Sequence, residues 1–223
     1  MSGPVLAVID DFYPDPDRIR ELAFSRLRFK YIQGAYYPGQ TSEFPTGELY
    51  PRWAMERINR ELKNKVRPVM EIQNGHFRVA KADDPVRAHI HVDICDVSAF
   101  IYLTPGLPSD AGTSFWYHKA LRTDRFLPRH WPLQQKTLLR NQITMDQFVD
   151  RISIDHMNFE EWQETDRVEY RYNRCLIIDP TYFHSQTRVY GTDLQDGRMT
   201  QNFFLEYQEP SLRYNWPRRG KEI

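Results

Sequence analysis

The segment 87–103 has the sequence RAHIHVDICDVSAFIYL, and its pattern decides the predicted fold. In the first half, Ile90, Val92 and Ile94 are apolar and alternate with the polar residues His89, His91 and Asp93. Because successive side chains of a strand point to opposite faces, the alternation predicts a strand with one polar face. The second half is nearly all apolar over residues 99–103, which predicts a buried strand after a turn.

Further strands and two N-terminal helices are predicted on either side of this segment. Asp15 is expected to cap a helix that begins at Pro16, and a second helix is expected over residues 53–66. Residues 30–52, rich in Tyr, Gly and Pro, are predicted to be irregular. The other predicted strands cover residues 5–9, 71–80, 113–118, 172–178, 182–189 and 198–207.

Residues 121–169 interrupt the β pattern. Residues 144–152 and 156–164 are predicted to be short helices, so the span is interpreted as a helical insertion or lid. Helices followed by a run of short strands and turns are typical of a two-sheet β-sandwich with helices packed outside it. The predicted fold class is therefore mainly β with flanking helices.

The length of the chain, 223 residues, suits one large domain better than two independent cores. We predict a single domain over residues 1–223. Within it, residues 1–70 form an N-terminal strand and helix support, and residues 71–207 form the β-sandwich core with the insertion at about 121–169. Residues 208–223 form a loosely ordered tail.

Charge and apolar patterning limit the partners and the compartment. Lys and Arg together number 30, as do Asp and Glu, and this neutral balance does not favour a nucleic-acid partner. The two cysteines, Cys95 and Cys175, are expected to be reduced and packed in strands. The start of the chain lacks signal-peptide features, and no apolar run approaches the roughly 20 residues of a spanning helix. We therefore expect a cytoplasmic protein without a membrane partner.

Two imidazoles and one carboxylate form the candidate metal centre. His91 and Asp93 lie two residues apart, so a strand places both on one face. His184, at the end of a distant strand-like segment, can supply the third donor. Such a set can hold a divalent iron on one face and leave the opposite face open. Arg198 and Thr200, also two apart, could bind a carboxylate through a guanidinium and a hydroxyl.

Taken in order, these residues resemble the motif of the Fe(II)- and 2-oxoglutarate-dependent oxygenase superfamily. That motif is His-x-Asp, a distal His, and then Arg-x-Ser or Arg-x-Thr. The strand that carries Tyr102 is similar to the prolyl-hydroxylase-like branch, although Thr104 stands where that branch often has Asn and Thr113 where it has a second Gly. The resemblance implies a double-stranded β-helix (jelly-roll, cupin-like) core. It also implies metal ligands His91, Asp93 and His184, with Arg198, Thr200 and Tyr102 binding 2-oxoglutarate.

The resemblance further implies a non-haem iron dioxygenase that uses Fe(II), 2-oxoglutarate and O₂. Such an enzyme couples decarboxylation of 2-oxoglutarate to hydroxylation of an unactivated C–H bond in a small molecule, an amino acid or a peptide. No catalytic residue beyond the metal ligands is implied, and the carboxylate of Asp93 argues for hydroxylation rather than halogenation. His89 and Trp116 are candidates for the substrate pocket.

Other interpretations of the same residues stay open at the level of sequence. The triad could be a polar network without a metal, or His89 could replace one of its members. The protein could be a metal-dependent enzyme that uses no 2-oxoglutarate, or a non-catalytic binding module on the same fold. The remaining histidines are interpreted as structural, and neither the substrate nor the oligomeric state follows from the sequence. Those histidines are His76, His118, His130 and His156.

Overall fold

The computed structural model describes residues 3–33, 37–49, 51–63, 65–69, 74–85, 89–127 and 131–209. In this part of the chain two antiparallel sheets face each other, and helices lie outside them. The larger sheet has the order β1-β9-β6-β11-β5-β3-β2, with β4 also paired to β11, and the smaller has the order β10-β7-β8. The strands are β1 (Val5–Ile9), β2 (Phe29–Lys30), β3 (Gln40–Ser42), β4 (Val66–Pro68), β5 (Phe77–Ala80), β6 (Val97–Tyr102), β7 (Thr113–His118), β8 (Trp162–Val168), β9 (Cys175–Ile178), β10 (His184–Gln186) and β11 (Arg198–Tyr207).

The helices are α1 (Pro16–Arg26), α2 (Arg52–Glu61), α3 (Trp131–Asn141) and α4 (Met145–Asp155), with short 3₁₀ turns at Gly47–Leu49, Ser109–Ala111 and Phe159–Glu161. Helix α1 begins as predicted: the side chain of Asp15 accepts a hydrogen bond from the Arg18 N–H, and Pro16 occupies the first turn. None of the helices in the described part of the chain combines the length and the apolar character that a bilayer-spanning helix needs.

The two faces of the larger sheet have different roles because its strands alternate in polarity. On β11, Met199, Phe203 and Leu205 are fully buried in the main core, together with apolar residues of α1 and α2. The alternate residues of the same strand, beginning with Arg198 and Thr200, point to the smaller sheet. A polar row therefore lies between the two sheets, where a jelly-roll core carries its binding site.

Helices α3 and α4 pack against the smaller sheet rather than over the gap between the sheets. Phe148 of α4 is fully buried in a cluster with Ile90 and Phe183, which directly precede His91 and His184. The Ile90 N–H also donates to the carbonyl of His156, at 2.9 Å. Among described residues of 121–169, none lines the cavity between the sheets, and the apolar residues of α3 and α4 pack behind the ligand segments.

Several predicted boundaries are wrong, each for a local reason. The second helix ends at Glu61 rather than residue 66, because Val66–Pro68 pairs with β11. The insertion does not reach residue 169, and 156–164 is not a helix, because Trp162–Val168 pairs with β7. Residues 30–52 are not wholly irregular, since Gln40–Ser42 pairs with β5.

The polar segment before β6 is the most informative difference. Residues 89–93 are extended but form no regular strand; only His91 makes an isolated bridge, to His184. Ile94 is 76% exposed, so the predicted apolar face ends at Val92. The predicted strand over residues 71–80 is observed only as β5, and residues 71–73, His130 and the tail from residue 210 lie outside the described residues.

Candidate metal centre

His91, Asp93 and His184 come together between the two sheets. His184 begins β10, and the backbones of His91 and His184 exchange two hydrogen bonds of 3.0 and 2.9 Å. The Asp93 N–H donates to the carbonyl of Pro180 at 3.1 Å, which holds the carboxylate close to the second imidazole. One ligand atom from each residue lies within 4.8 Å of the other two. The backbone bridge between His91 and His184 therefore brings together two ligand segments that are far apart in the sequence.

Hydrogen bonds fix which nitrogen of each imidazole faces the centre. Nδ1 of His91 lies 3.0 Å from the carbonyl of His89, and Nδ1 of His184 lies 2.8 Å from the carbonyl of Tyr182. A carbonyl can only accept, so each Nδ1 carries the proton and each Nε2 presents a lone pair. Nε2 of His184 is buried and has no hydrogen-bond partner. A buried nitrogen lone pair that accepts no hydrogen bond can bind a metal ion.

The carboxylate of Asp93 lies between the two imidazoles. Oδ1 is 3.7 Å from Nε2 of His91, and Oδ2 is 3.5 Å from Nε2 of His184. Ser98 of β6 donates its hydroxyl hydrogen to Oδ2 at 2.6 Å. These distances leave room for one ion among the three donors, because nitrogen and oxygen ligands bind divalent metals at about 2 Å.

The charges in the centre favour deprotonated donors. Burial and the neighbouring His184 lower the pKa of His91 to about 4, against the opposite influence of Asp93. Burial alone would raise the pKa of Asp93, but its contacts with His184, His91 and Ser98 lower it below its usual range. Burial alone would lower the pKa of His184, whereas the contact with Asp93 raises it. The carboxylate and at least one imidazole are thus in the state that binds a cation near neutral pH.

Arg198 is a buried cation beside this centre. Only 7% of its surface is exposed, and burial lowers the pKa of its guanidinium. Its Nε donates to the carbonyl of Ala111 at 2.6 Å, and Nη2 donates to the carbonyl of Gly112 at 3.1 Å. Within the described residues, no carboxylate forms an ion pair with it. Since an unpaired buried charge is costly, the site suits an anion that the described residues do not supply.

The other two residues predicted to bind a cosubstrate differ in their access. Thr200 lines the same cavity as Arg198, and it pairs directly with Tyr102 across β11 and β6. Tyr102 is fully buried, and its hydroxyl lies 2.8 Å from Oγ1 of Thr113. Thr113, not Tyr102, is among the described residues that line the cavity. The Tyr102 ring also lies beside Arg198, whose guanidinium carbon is 5.1 Å from the ring centroid, and a contact of Tyr102 with the cosubstrate stays a prediction.

The cavity beside the donors has a volume of about 80 Å³ and is partly open to solvent. His89 lines it, as predicted, and its ring lies edge-on to His91 with centroids 5.3 Å apart. Trp116 does not line it: the indole N–H donates to Ser185 Oγ at 3.0 Å, and the ring packs on Phe159. Trp116 is turned away because its strand also supports α3 and α4.

Further polar residues that were not identified from the sequence line the cavity, among them Ser185 of β10. Arg78 lies on β5 directly opposite Thr200, Asn202 follows Thr200 by two residues on β11, and Gln186 ends β10. Alternation along β11 from Arg198 would have predicted the position of Asn202. Arg78 and Gln186 depend on strand register, which the sequence does not reveal.

A family model matches residues 1–205, and its description is a family of unknown function, DUF6445. The chain belongs to the DUF6445 family. No curated protein matches this DUF6445 chain. Solved structures do: HygX from Streptomyces hygroscopicus, with nickel, 2-oxoglutarate and hygromycin B bound, aligns with a TM-score of 0.54 and 13% identity over 90% of this chain and 82% of that one.

A second HygX structure, with nickel and 2-oxoglutarate bound, aligns over the same shares of both chains with a TM-score of 0.50 and 13% identity. A prolyl hydroxylase from Trichoplax adhaerens, in complex with a peptide fragment of hypoxia inducible factor, aligns with a TM-score of 0.42 and 10% identity over 89% of this chain and 82% of that one. The DUF6445 chain therefore shares the fold of HygX, and its two antiparallel sheets agree with the jelly-roll core that the sequence predicted.

Proposed function

We propose that this protein is an Fe(II)- and 2-oxoglutarate-dependent dioxygenase that hydroxylates a C–H bond of a small molecule, an amino acid or a peptide. The observation that carries the proposal is that a His-Asp-His donor set lies beside a cavity that a buried guanidinium also lines, and that no carboxylate of the described residues pairs with this guanidinium. Neither feature alone indicates 2-oxoglutarate; together they match its two ends. The similarity in fold to HygX, which binds nickel and 2-oxoglutarate, supports the same conclusion.

In this proposal, His91, Asp93 and His184 hold the iron. Bound iron, with 2-oxoglutarate and O₂, supplies the oxidising chemistry. The two Nδ1–H groups keep both imidazoles in one tautomer, and Ser98 orients the carboxylate of Asp93. With only three protein ligands, a bound metal would have further positions open for 2-oxoglutarate and O₂.

Arg198 and Thr200 would bind the distal carboxylate of 2-oxoglutarate. A guanidinium has five N–H donors, and three of those of Arg198 already have acceptors, the carbonyls of Ala111 and Gly112 and, at 3.5 Å, Oε1 of Gln186. The second N–H groups of Nη1 and Nη2, beside the Tyr102 ring at 5.1 Å from the guanidinium carbon, would bind a carboxylate as a bidentate pair. The carbonyl bonds hold the guanidinium in place before the ligand arrives, so little side-chain entropy is lost on binding.

Apolar side chains on the cavity wall would limit the access of water to the reacting atoms. Phe100 and Ala80 line its wall beside the polar row, and the centroids of the Phe100 and His184 rings are 6.2 Å apart. An apolar wall next to the metal ligands leaves space for the C–H bond that is oxidised. The single-domain organisation, the iron preference and the cytoplasmic location stay predictions of the sequence.

The experiment that tests this function is an anaerobic reconstitution with Fe(II), followed by addition of 2-oxoglutarate, ascorbate and O₂. We expect formation of succinate from 2-oxoglutarate and its loss in His184→Ala. Candidate substrates are then screened for a mass gain of one oxygen atom. Succinate formation that persists in His184→Ala would contradict the assignment.

One alternative function has a defined test in the same experiment. A metal-dependent enzyme that uses no 2-oxoglutarate would have no need for the buried cation at Arg198. It would retain its metal and show no binding of 2-oxoglutarate. The missing acidic partner of Arg198 in the described residues favours the oxygenase.

A further inference from the structure

The cavity contains a second pair of polar side chains, away from the corner that Arg198 occupies. Asn202 lies on β11 and is 4% exposed, yet its Oδ1 atom is buried without a hydrogen-bond partner. Arg78 lies on the neighbouring strand β5, directly opposite Thr200. Both side chains line the cavity. A buried acceptor that nothing satisfies costs stability unless a ligand or an ordered water satisfies it.

The position of Arg78 suits it to bind an anion. Its guanidinium carbon lies 3.5 Å from the centroid of the Tyr37 ring, which also lines the cavity. Stacking uses the face of the guanidinium, whereas its N–H donors lie in the plane, so the stacked group can still bind a carboxylate at its edge. A position opposite Thr200 is diagonal to Asn202, and diagonal neighbours on a sheet are separated by about 7–8 Å. A small molecule can span that distance.

2-Oxoglutarate does not satisfy this pair. It has no N–H or O–H donor at neutral pH, so it cannot satisfy Oδ1 of Asn202. Its keto-acid end is directed to the metal and its distal carboxylate to Arg198 in the proposed function. The group that fills the second pair must therefore belong to the other substrate. It must carry a hydrogen-bond donor for Asn202, and a negative charge a few bonds away would complement the guanidinium of Arg78 on the same cavity wall.

We propose that Arg78 and Asn202 form a substrate subsite that binds an α-amino carboxylate, the head group of an amino acid. The carboxylate binds Arg78, and the amino group donates to Oδ1 of Asn202. The side chain of the amino acid then extends towards the metal, past His89 and Phe100 on the cavity wall. This inference rests on the proposed function and specifies its substrate class. The same chemistry occurs in a free amino acid and in the last residue of a peptide.

The test is a calorimetric titration of the full chain loaded with Ni(II) and 2-oxoglutarate under anaerobic conditions. The probes are the natural amino acids and two matched sets: the carboxamides, which lose the charge, and the deaminated acids, which lose the donor. We expect at least one amino acid to bind about tenfold or more tightly than either of its matched analogues, as the loss of a charge-assisted hydrogen bond predicts. Dipeptides with the same last residue show whether the free amino acid or a peptide is preferred.

Variants assign each contact to its residue. In Arg78→Gln, the amino acid and its carboxamide should bind equally; in Asn202→Leu, the amino acid and its deaminated analogue should bind equally. Such a change in selectivity is not expected from a general loss of structure. Arg78→Lys keeps the charge and should retain part of the preference for the carboxylate. Arg67→Gln removes an exposed arginine whose strand β4 also pairs with β11, and it should change neither ratio.

Each other result would overturn the inference. Binding of 2-oxoglutarate without binding of any amino acid would refute the subsite and leave the proposed function standing. If Arg78→Gln weakens 2-oxoglutarate instead, Arg78 belongs to the cosubstrate. If 2-oxoglutarate does not bind the nickel-loaded protein, the proposed function fails first, and the subsite fails with it.

Discussion

The substitution Arg198→Gln tests whether Arg198 binds a ligand or stabilises the fold. If an arginine stabilises a fold through an ion pair, its removal destabilises the protein. Arg198 has no carboxylate partner in the described residues and is 7% exposed, so its charge is a cost to the ligand-free protein. The substitution removes that cost and also removes the bond to the carbonyl of Ala111. The carbonyl of Gly112 keeps a second partner, the N–H of Thr187.

The expected change in the ligand-free protein is therefore small. One buried carbonyl left without a donor costs about 1–3 kcal/mol, and relief of an unpaired buried charge offsets part or all of it. The free energy of unfolding of Arg198→Gln should lie within about 2 kcal/mol of the wild-type value. The loss in 2-oxoglutarate binding should be larger. Two charge-assisted hydrogen bonds at about 1.5–3 kcal/mol each predict an affinity lower by about a hundredfold or more.

Thermal unfolding of the nickel-loaded protein measures both effects in one experiment. At a 2-oxoglutarate concentration of about 100 times the wild-type Kd, binding stabilises the wild-type protein by about 2.7 kcal/mol. A variant with a hundredfold weaker affinity gains only about 0.4 kcal/mol at that concentration. For a protein of this size, 1 kcal/mol shifts Tm by about 2–4 °C, so the expected shifts are about 5–10 °C and about 1 °C.

The matched control for Arg198→Gln is Arg67→Gln, which removes an exposed arginine on β4 and should keep the full ligand-induced shift. Equal shifts in the Arg198→Gln variant and the wild-type protein would refute the reasoning. A ligand-free variant that unfolds many degrees below the wild type would also refute it, since Arg198 would then be structural.

Three further predictions concern the support of the centre. Phe148→Ala opens a cavity in the buried cluster behind the ligand segments and should lower the free energy of unfolding, measured in urea, by about 3–5 kcal/mol. The control is Leu139→Ala. Leu139 is 69% exposed in the same insertion, and its replacement should change the free energy of unfolding by less than about 0.5 kcal/mol. Ser98→Ala removes the hydrogen bond to Oδ2 of Asp93 and should weaken metal binding about tenfold or more, measured by competition with a chelator. An unchanged metal affinity would show that this hydrogen bond does not position the carboxylate. Burial lowers the pKa of His118, so below about pH 6.5 the unfolded chain takes up a proton that the folded protein does not. The free energy of unfolding of the metal-free protein should therefore decrease as the pH falls below about 6.5. In His118→Gln this decrease with pH should be smaller.

The motif residues and most of the strands could be predicted because they depend on local patterns. Thr113–His118 and Arg198–Tyr207 match their predicted bounds, since alternating or continuous apolar runs are the signal of a strand. The helix at Pro16 follows from a cap and a proline. The metal donors follow from a spacing of two residues and from a resemblance to a known motif.

The errors arose where long-range pairing overrides local pattern. Trp162–Val168 is largely polar and exposed, so only its pairing with β7 makes it a strand. Residues 89–93 alternate like a strand but pair only through His91, because the chain turns away after Asp93. The position of Arg78 opposite Thr200 depends on register, which a single sequence does not fix.

Anaerobic equilibrium dialysis of the metal-free protein against Fe(II), with and without 2-oxoglutarate, tests the central claim most directly. We predict about one iron per chain, tighter binding of iron when 2-oxoglutarate is present, and reciprocal tightening of 2-oxoglutarate by iron. His184→Ala should lose the binding of iron and the mutual tightening of iron and 2-oxoglutarate, because Nε2 of His184 is a buried ligand atom without a hydrogen-bond partner. Iron binding of wild-type strength in His184→Ala, or 2-oxoglutarate binding that is independent of the metal, would contradict a centre built from His91, Asp93 and His184.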